Sequence, residues 1–296
     1  MKQSYFIGLD IGTTSTKAIV FTASGAVRGT GNIDYPLLVP KASWAEQDPE
    51  TIFAAVVAAL KQAIEQADIG QNEIGGIGFS TAMHSLIAVD AHGNPLTNSI
   101  IWADNRSAAQ AERLKEEGVG HSIYLATGTP IHPMSPLPKI MWLKENQPDI
   151  SQKTAKYISI KEYVIYRLFG QYVVDYSIAS ATGLFNLRKL DWDDDALKVA
   201  GITKHHLSES VPTTHILRGM KVRYAEEIGL DPDTPFVVGA SDGVLANLGI
   251  GAIDNGQVAI TIGTSGAVRT VVPEPITDPK GRTFCYLLTE NHWVIG

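Results

Sequence analysis

The chain has 296 residues, 44% of them hydrophobic and 19% charged, with a formal net charge of −7. That length admits two domains or one large one, and the acidic balance argues against general nucleic-acid binding, which needs a basic face. The single cysteine, Cys285, excludes an intrachain disulfide and fits a reducing compartment. No apolar run reaches the roughly 18 residues of a membrane span, and the N-terminal run is too short for a signal peptide, since Asp10 interrupts it.

Tyr5 to Leu9 is an apolar run that leads into Asp10, then the turn Ile11-Gly12-Thr13-Thr14-Ser15, then a second β-prone run ending at Phe21. This predicts a hairpin with a carboxylate at the end of its first strand. Val27 to Tyr35 reads as a further strand. Asp48 is a good N-cap with Pro49 behind it, and Ile52, Phe53, Val56, Val57, Leu60 and Ile64 recur at helical spacing. Strands are expected over 74–80, 86–90 and 99–102, and a helix over 107–117 that Gly118 stops. A helix over 136–146, a strand over 157–160 and a helix over 161–169 follow. The stretch 172–187 alternates enough to read as one β segment. Helical pieces are expected near 194–200 and 221–228, then an apolar strand at 236–240 and a helix that Asp242-Gly243 opens. The rest is β-rich, with strands over 257–262, 267–272, 282–288 and 292–295. Interleaved strands and helices give the class α/β. A new run of strands starts near Gly251 and the sequence stops within one, at Trp293-Val294-Ile295-Gly296, so a partial second domain is expected.

One internal echo stands out. Leu9-Asp10-Ile11-Gly12-Thr13-Thr14 aligns with Ile260-Thr261-Ile262-Gly263-Thr264-Ser265, each an apolar strand running into a small, hydroxyl-rich turn before β structure resumes. Successive N–H groups in such tips make an anion-binding concavity, so two hairpins facing each other could hold a polyphosphate from both sides. Neither is a Walker A loop, because the Gly-Lys-Ser/Thr ending is absent and a strand follows each turn. Two aspartates complete the pattern. Asp10 suits a hard oxygen ligand for Mg²⁺ beside the first hairpin. Asp242, in Gly239-Ala240-Ser241-Asp242-Gly243, suits a base that orients an attacking hydroxyl, with the helix N-terminus expected to lower its pKa. Taken singly, Asp10 reads better as a turn residue and Asp242 better as a plain N-cap, since such aspartates are common; the pair together with the two hairpins points to a kinase. The acidic run Asp191 to Asp195 reads as a solvated loop and helix start rather than a metal site.

These motifs resemble the FGGY family of carbohydrate kinases, in the actin-like ATPase superfamily. Gly8 to Lys17 is similar to that family's first phosphate motif, Gly239 to Gly243 to its catalytic-base motif, Ile262 to Gly266 to its second phosphate motif, and Met134 to Asn146, with Lys139 and Trp142, to a signature segment. The resemblance implies a two-domain, ribonuclease H-like fold: residues 1–249 as a complete N-terminal domain that binds sugar and phosphate, and 250–296 as the start of the C-terminal domain. It implies ATP and Mg²⁺, with Asp242 as catalytic base and Asp10 toward the metal. Gly12, Thr13, Thr14, Lys17, Gly263, Thr264 and Ser265 would hold phosphate. Around the acceptor it implies Met83, His84, Trp102, Asp104, Arg106 and Asp242, on segments that look most like the gluconate kinase branch, with a xylulose kinase or a non-catalytic sugar-binding piece as alternatives.

Several of these residues also carry an ordinary structural reading. His84 could be a satisfied histidine at a strand end, and Trp102 could be core. Asp104 and Arg106 could cap and solvate the helix near Ser107, and Lys17 could be a surface lysine. A small sugar or sugar acid as substrate, no nucleic acid or membrane partner, a cytoplasmic location and room for a homodimer complete what the resemblance implies.

Overall fold

The computed structural model describes residues 4–254, 256–262 and 266–296. The opening strand, Tyr5–Ile11, buries Tyr5, Ile7, Leu9 and Ile11 on one face, as its alternation dictates. It pairs antiparallel with Ser15–Thr22 and parallel with Ile74–Thr81. Phe236–Ser241 adds in parallel on the other side of Ile74–Thr81. The six-stranded sheet runs in the order Ile216–Leu217, Phe236–Ser241, Ile74–Thr81, Tyr5–Ile11, Ser15–Thr22, Val27–Asp34. Three parallel strands therefore stand side by side, and Ile11, Thr81 and Ser241 lie level at their carboxyl ends. Ligands of open α/β sheets bind at that edge.

Asp48 caps the helix Pro49–Ala67 by accepting from the Glu50 N–H. Its buried stripe includes Ile52, Val56, Leu60 and Ala63, and burying each of the larger three contributes about 1.5–3 kcal/mol. The helix lies so close to the Val27–Asp34 strand that a Cβ at Gly29 would strike the Ala63 carbonyl and one at Gly31 the Ala59 carbonyl. A second core gathers Leu137, Ile140, Leu143, Phe185, Trp192 and Leu197, drawn from the helices Pro136–Asn146 and Asp194–Ala200 and the segments between them.

The single β segment expected over 172–187 is instead a strand, Val173–Asp175, a helix, Tyr176–Ser180, and a short strand, Phe185–Asn186. Asp175 is the cause: its carboxylate accepts from the Ile178 N–H and starts the helix. The helix Val119–Thr127 was not legible either, since Gly118, read as a stop, also opens it with φ 77°. In the acidic run, Asp193 caps Asp194–Ala200 through the Ala196 N–H, and Asp191 pairs with Lys204.

A separate four-stranded sheet follows, in the order Val258–Ile262, Gly266–Val272, His292–Ile295, Cys285–Thr289. Val271, Tyr286, Leu288 and Val294 of this sheet pack against Ala181, Ala240 and Val244, which seats it beside the carboxyl edge of the first.

Candidate active site

Asp10 is the last residue but one of the first strand, where Ser80 of the neighbouring strand donates to its Oδ1 at 2.7 Å. The next residues turn sharply, closed by Gly12 N–H to the Ser15 carbonyl at 3.0 Å. Three side chains from elsewhere hold this tip. Tyr35 Oη donates to the Gly12 carbonyl at 2.7 Å, Gln47 Nε2 to the Thr13 carbonyl, and Trp102 Nε1 to Thr13 Oγ1 at 3.0 Å. The Thr13 and Thr14 N–H groups donate to nothing among the described residues. A fixed tip with two free N–H groups is a ready anion cradle. Lys17 lies opposite Asp10 in register and is exposed. Both line a cavity of about 560 Å³ whose walls also include Ser80, Gly239 and Leu245. Asp10 fits Mg²⁺ as a hard oxygen donor, and no group of three His, Cys, Asp or Glu side chains forms a cage among the described residues. Mg²⁺ commonly takes few protein ligands and completes its shell with water and phosphate.

Asp242 owes its position to the residues before it. Gly239 takes φ +62° and a Cβ there would strike the Phe79 carbonyl, so the strand register shifts between Val237 and Ala240. Lys161 Nζ, wholly buried, donates to the carbonyls on both sides of the bulge, Val238 and Ala240, at 3.1 Å each, and to Asp175 Oδ2 at 2.7 Å. The helix Asp242–Gly249 starts directly after. Replacing Gly239 by alanine forces a left-handed non-glycine residue against backbone, at a cost of about 2–4 kcal/mol. Urea unfolding of Gly239→Ala should show that loss; a midpoint equal to wild type would contradict it.

The carboxyl of Asp242 accepts from the Gly243 N–H at 2.7 Å. Its pKa is raised, not lowered as the helix N-terminus suggested. The residue is exposed by surface accessibility, yet it lies at the sheet edge among protein groups that reduce its hydration, and this lost hydration is the main cause of the rise. The charge of Asp10 adds to it, while the Gly243 N–H, Arg269 and Lys161 pull the other way. Gly243 is hemmed by two side chains: a Cβ there would meet Met83 Cε at 2.6 Å and Arg269 Nη2 at 3.6 Å. Met83 thus stands against the Asp242 turn, and a guanidinium lies beside it.

On the acceptor side, His84 is buried and takes φ +68°. Its Nδ1 lies 2.8 Å from the Ala181 carbonyl. A carbonyl only accepts, so Nδ1 carries the proton and Nε2 presents a lone pair, 3.5 Å from Tyr286 Oη. Burial first, then the charge of Lys139, pushes the ring down to about 3, so it is neutral at ordinary pH. Trp102 is not core but 43% exposed, with an indole face free to meet a ligand.

Asp104 and Arg106 are occupied. Asp104 is fully buried and accepts from the Ala45 N–H at 2.6 Å and from Arg106. Arg106 also pairs with Glu46 and lies over the Trp44 ring at 3.7 Å and the Trp142 ring at 5.2 Å. In this arrangement the guanidinium is spent on Glu46, Asp104 and two indoles, so the pair braces the loop behind Trp102 rather than presenting a free cation to a sugar acid.

The structure thus brings Asp10, the 12–14 tip, Met83, Trp102 and Asp242 to one edge, sets His84 beneath it, and places Asp104 and Arg106 behind it. Gly263, Thr264 and Ser265 lie outside the described residues. Sequence reasoning missed Tyr35, Gln47, Glu46, Lys161, Arg269 and Tyr286, which act through contacts distant in the chain. Of these, Lys161 left a signal: it shares a helical stripe with Val164, Ile165 and Leu168.

The sheet edge that carries Asp10, the 12–14 tip and Asp242 belongs to an α/β fold of the actin-like kind. Residues 5–249 match the model of the N-terminal domain of the FGGY family of carbohydrate kinases, and the chain belongs to that family. It is 55% identical over 293 residues to the gluconokinase of Bacillus subtilis strain 168, covering 99% of this chain and 57% of that protein. Two solved structures from Lactobacillus acidophilus, one described as a gluconate kinase and the other as a ligand-bound xylulose kinase, each superpose with a TM-score of 0.95 at 38% identity, over 99% of this chain and 59% of theirs. The chain therefore spans somewhat more than half the length of the relatives it matches. Among the described residues no helix is long and apolar enough to cross a membrane.

Proposed function

We propose that the protein phosphorylates D-gluconate with ATP, giving 6-phosphogluconate and ADP. The observation that carries the reading is Asp242 placed at the same carboxyl edge of the sheet as Asp10, beside a hairpin tip with free N–H groups. The primary hydroxyl oxygen of the sugar acid attacks the γ-phosphorus, the new O–P bond forms as the bond to the bridging oxygen of ADP breaks, and the hydroxyl proton passes to the Asp242 carboxylate. Thr13, Thr14 and Lys17, with Gly12 shaping the turn, hold phosphate oxygens. Gly263, Thr264 and Ser265, in a second domain taken to start at 250 after an N-terminal domain at 1–249, would supply the second set of phosphate contacts. Asp10 would hold Mg²⁺, which when bound neutralises phosphate charge. Met83, His84 and Trp102 meet the acceptor, His84 as hydrogen-bond acceptor through Nε2, while Asp104 and Arg106 fix the loop that carries Trp102. Use of ATP and the single buried thiol fit a cytoplasmic site.

The choice of gluconate draws on the 55% identity to a gluconokinase. The second reading, D-xylulose as acceptor, draws on the xylulose kinase structure that fits equally well. Calorimetric binding and ATP-dependent turnover would be measured with gluconate, D-xylulose and glycerol in parallel. Gluconate alone bound and phosphorylated is the expected result. Preference for xylulose would transfer the assignment, and binding without turnover would favour a sugar-binding piece.

A further inference from the structure

Lys139 is wholly buried, on the inner stripe of the helix Pro136–Asn146 with Ile140 and Leu143. Among the described residues no carboxylate lies within ion-pair distance of its ammonium, which donates instead to three backbone carbonyls: His84 at 2.7 Å, Ile101 at 2.8 Å and Ile100 at 3.2 Å. Burying a cation without a counter-ion is costly, and an apolar residue at this place in the stripe would avoid the cost. The three carbonyls give the lysine its purpose. One belongs to His84 itself, held at φ +68°, a conformation a non-glycine residue keeps only when its surroundings impose it. Another belongs to Ile101, next to Trp102. The ammonium has three N–H groups and each finds one carbonyl, so it ties together two segments that are distant in sequence and each carry an acceptor candidate. A backbone bridge between Leu86 and Ile100 joins the same segments, and Lys139 extends that link to His84 and Ile101.

We propose that Lys139 is a positioning residue for the acceptor: its ammonium fixes the backbone at His84 and before Trp102, and so sets the spacing between the histidine ring and the indole. The proposal rests on the reading that these two side chains face the sugar. Burial pushes Lys139 down to about 7, with the charge of Asp104 opposing and that of Arg106 adding. The groups that face it are Asp104, Arg106, His84 and His132. The histidines are both shifted down by burial, and Lys139 titrates near neutrality. A neutral amine keeps two N–H groups for three carbonyls, and the brace loosens as pH rises through about 7.

The test compares wild type, Lys139→Met, which keeps the stem length, and Lys139→Gln, which keeps two donors. Gluconate affinity is read by calorimetry, folding by circular dichroism, and the His84 ring by its ¹⁵N resonances. Expected for a folded Lys139→Met is an affinity loss of about tenfold or more, a displaced His84 ring signature, and in wild type a gluconate affinity that weakens from pH 6 to 9. Unchanged affinity and an unmoved His84 resonance in the folded variant would overturn the proposal. If Lys139→Met does not fold, Lys139→Gln and the wild-type pH series decide in the same terms. If wild type binds no gluconate, the functional reading fails, and the His84 resonances alone then decide whether Lys139 sets that backbone.

Discussion

Asp242→Asn is expected to lower turnover by about 10²–10⁴-fold and to change gluconate affinity little. The amide keeps the size of the carboxylate and can still accept from the Gly243 N–H, so the turn stands. What it loses is the ability to take the hydroxyl proton. The pKa of this group sharpens the expectation. Its folded value is raised, first by lost hydration and then by Asp10, so the native state holds the proton more tightly than the unfolded chain does. The stability associated with that extra proton is present below the ordinary aspartate range and is lost as pH rises through the raised value. Activity runs the other way, because only the ionised form accepts a proton. The acid limb of kcat should therefore lie above the pH at which an unperturbed aspartate titrates. A pH–rate profile checks this. Full turnover in Asp242→Asn, or an acid limb at the usual aspartate pH, would refute the assignment.

How much of this was legible depends on where each contact is closed. The hairpin at 5–21 could be read because its strands are neighbours in sequence and their alternation shows which face is buried. The Pro49–Ala67 helix announced its start through Asp48 and Pro49. Tyr172 to Leu187 misled because a run of alternating apolar residues hides a cap: the decisive hydrogen bond, from the Ile178 N–H to Asp175, is local but depends on Asp175 also being neutralised by Lys161 from another helix. The site shows the same division. Asp10 and Asp242 stood out because each lies at a strand end with small residues around it. Whether Arg106 is free or occupied could not be read, since Glu46, Trp44 and Trp142 reach it from positions up to 62 residues away. The direction of the Asp242 pKa also turns on three dimensions: the helix terminus is written in the chain, while the cleft walls and the facing Asp10 are not. Both buried lysines were readable in part, as polar interruptions of the apolar stripes 136, 139, 140, 143 and 161, 164, 165, 168. What each interruption binds was not.

Lys161→Met should destabilise the fold by about 3–5 kcal/mol, because it strands the Asp175 carboxylate in the interior. Lys161 and Asp175 are both fully buried and 2.7 Å apart, and solvent cannot replace the lost partner. The damage would not stop at the pair. Asp175 also starts the helix Tyr176–Ser180, and the Val238 and Ala240 carbonyls lose the donor that braces the Gly239 bulge. Removing both charges separates these effects. In Lys161→Met with Asp175→Asn the amide oxygen can still cap the helix, no charge is left unpaired, and about 1–3 kcal/mol of the loss should return as coupling between the two sites. Stability and catalysis then part company. The double variant still lacks the ammonium behind Asp242, whose charge helps hold that pKa down, so the acid limb of its pH–rate profile should sit above that of wild type even where the fold has recovered. Urea unfolding of the single and double variants measures the first part, and pH-dependent turnover of the double variant measures the second. A single variant as stable as wild type would remove the ion pair from the account of the fold. A double variant with an unmoved acid limb would remove Lys161 from the account of Asp242.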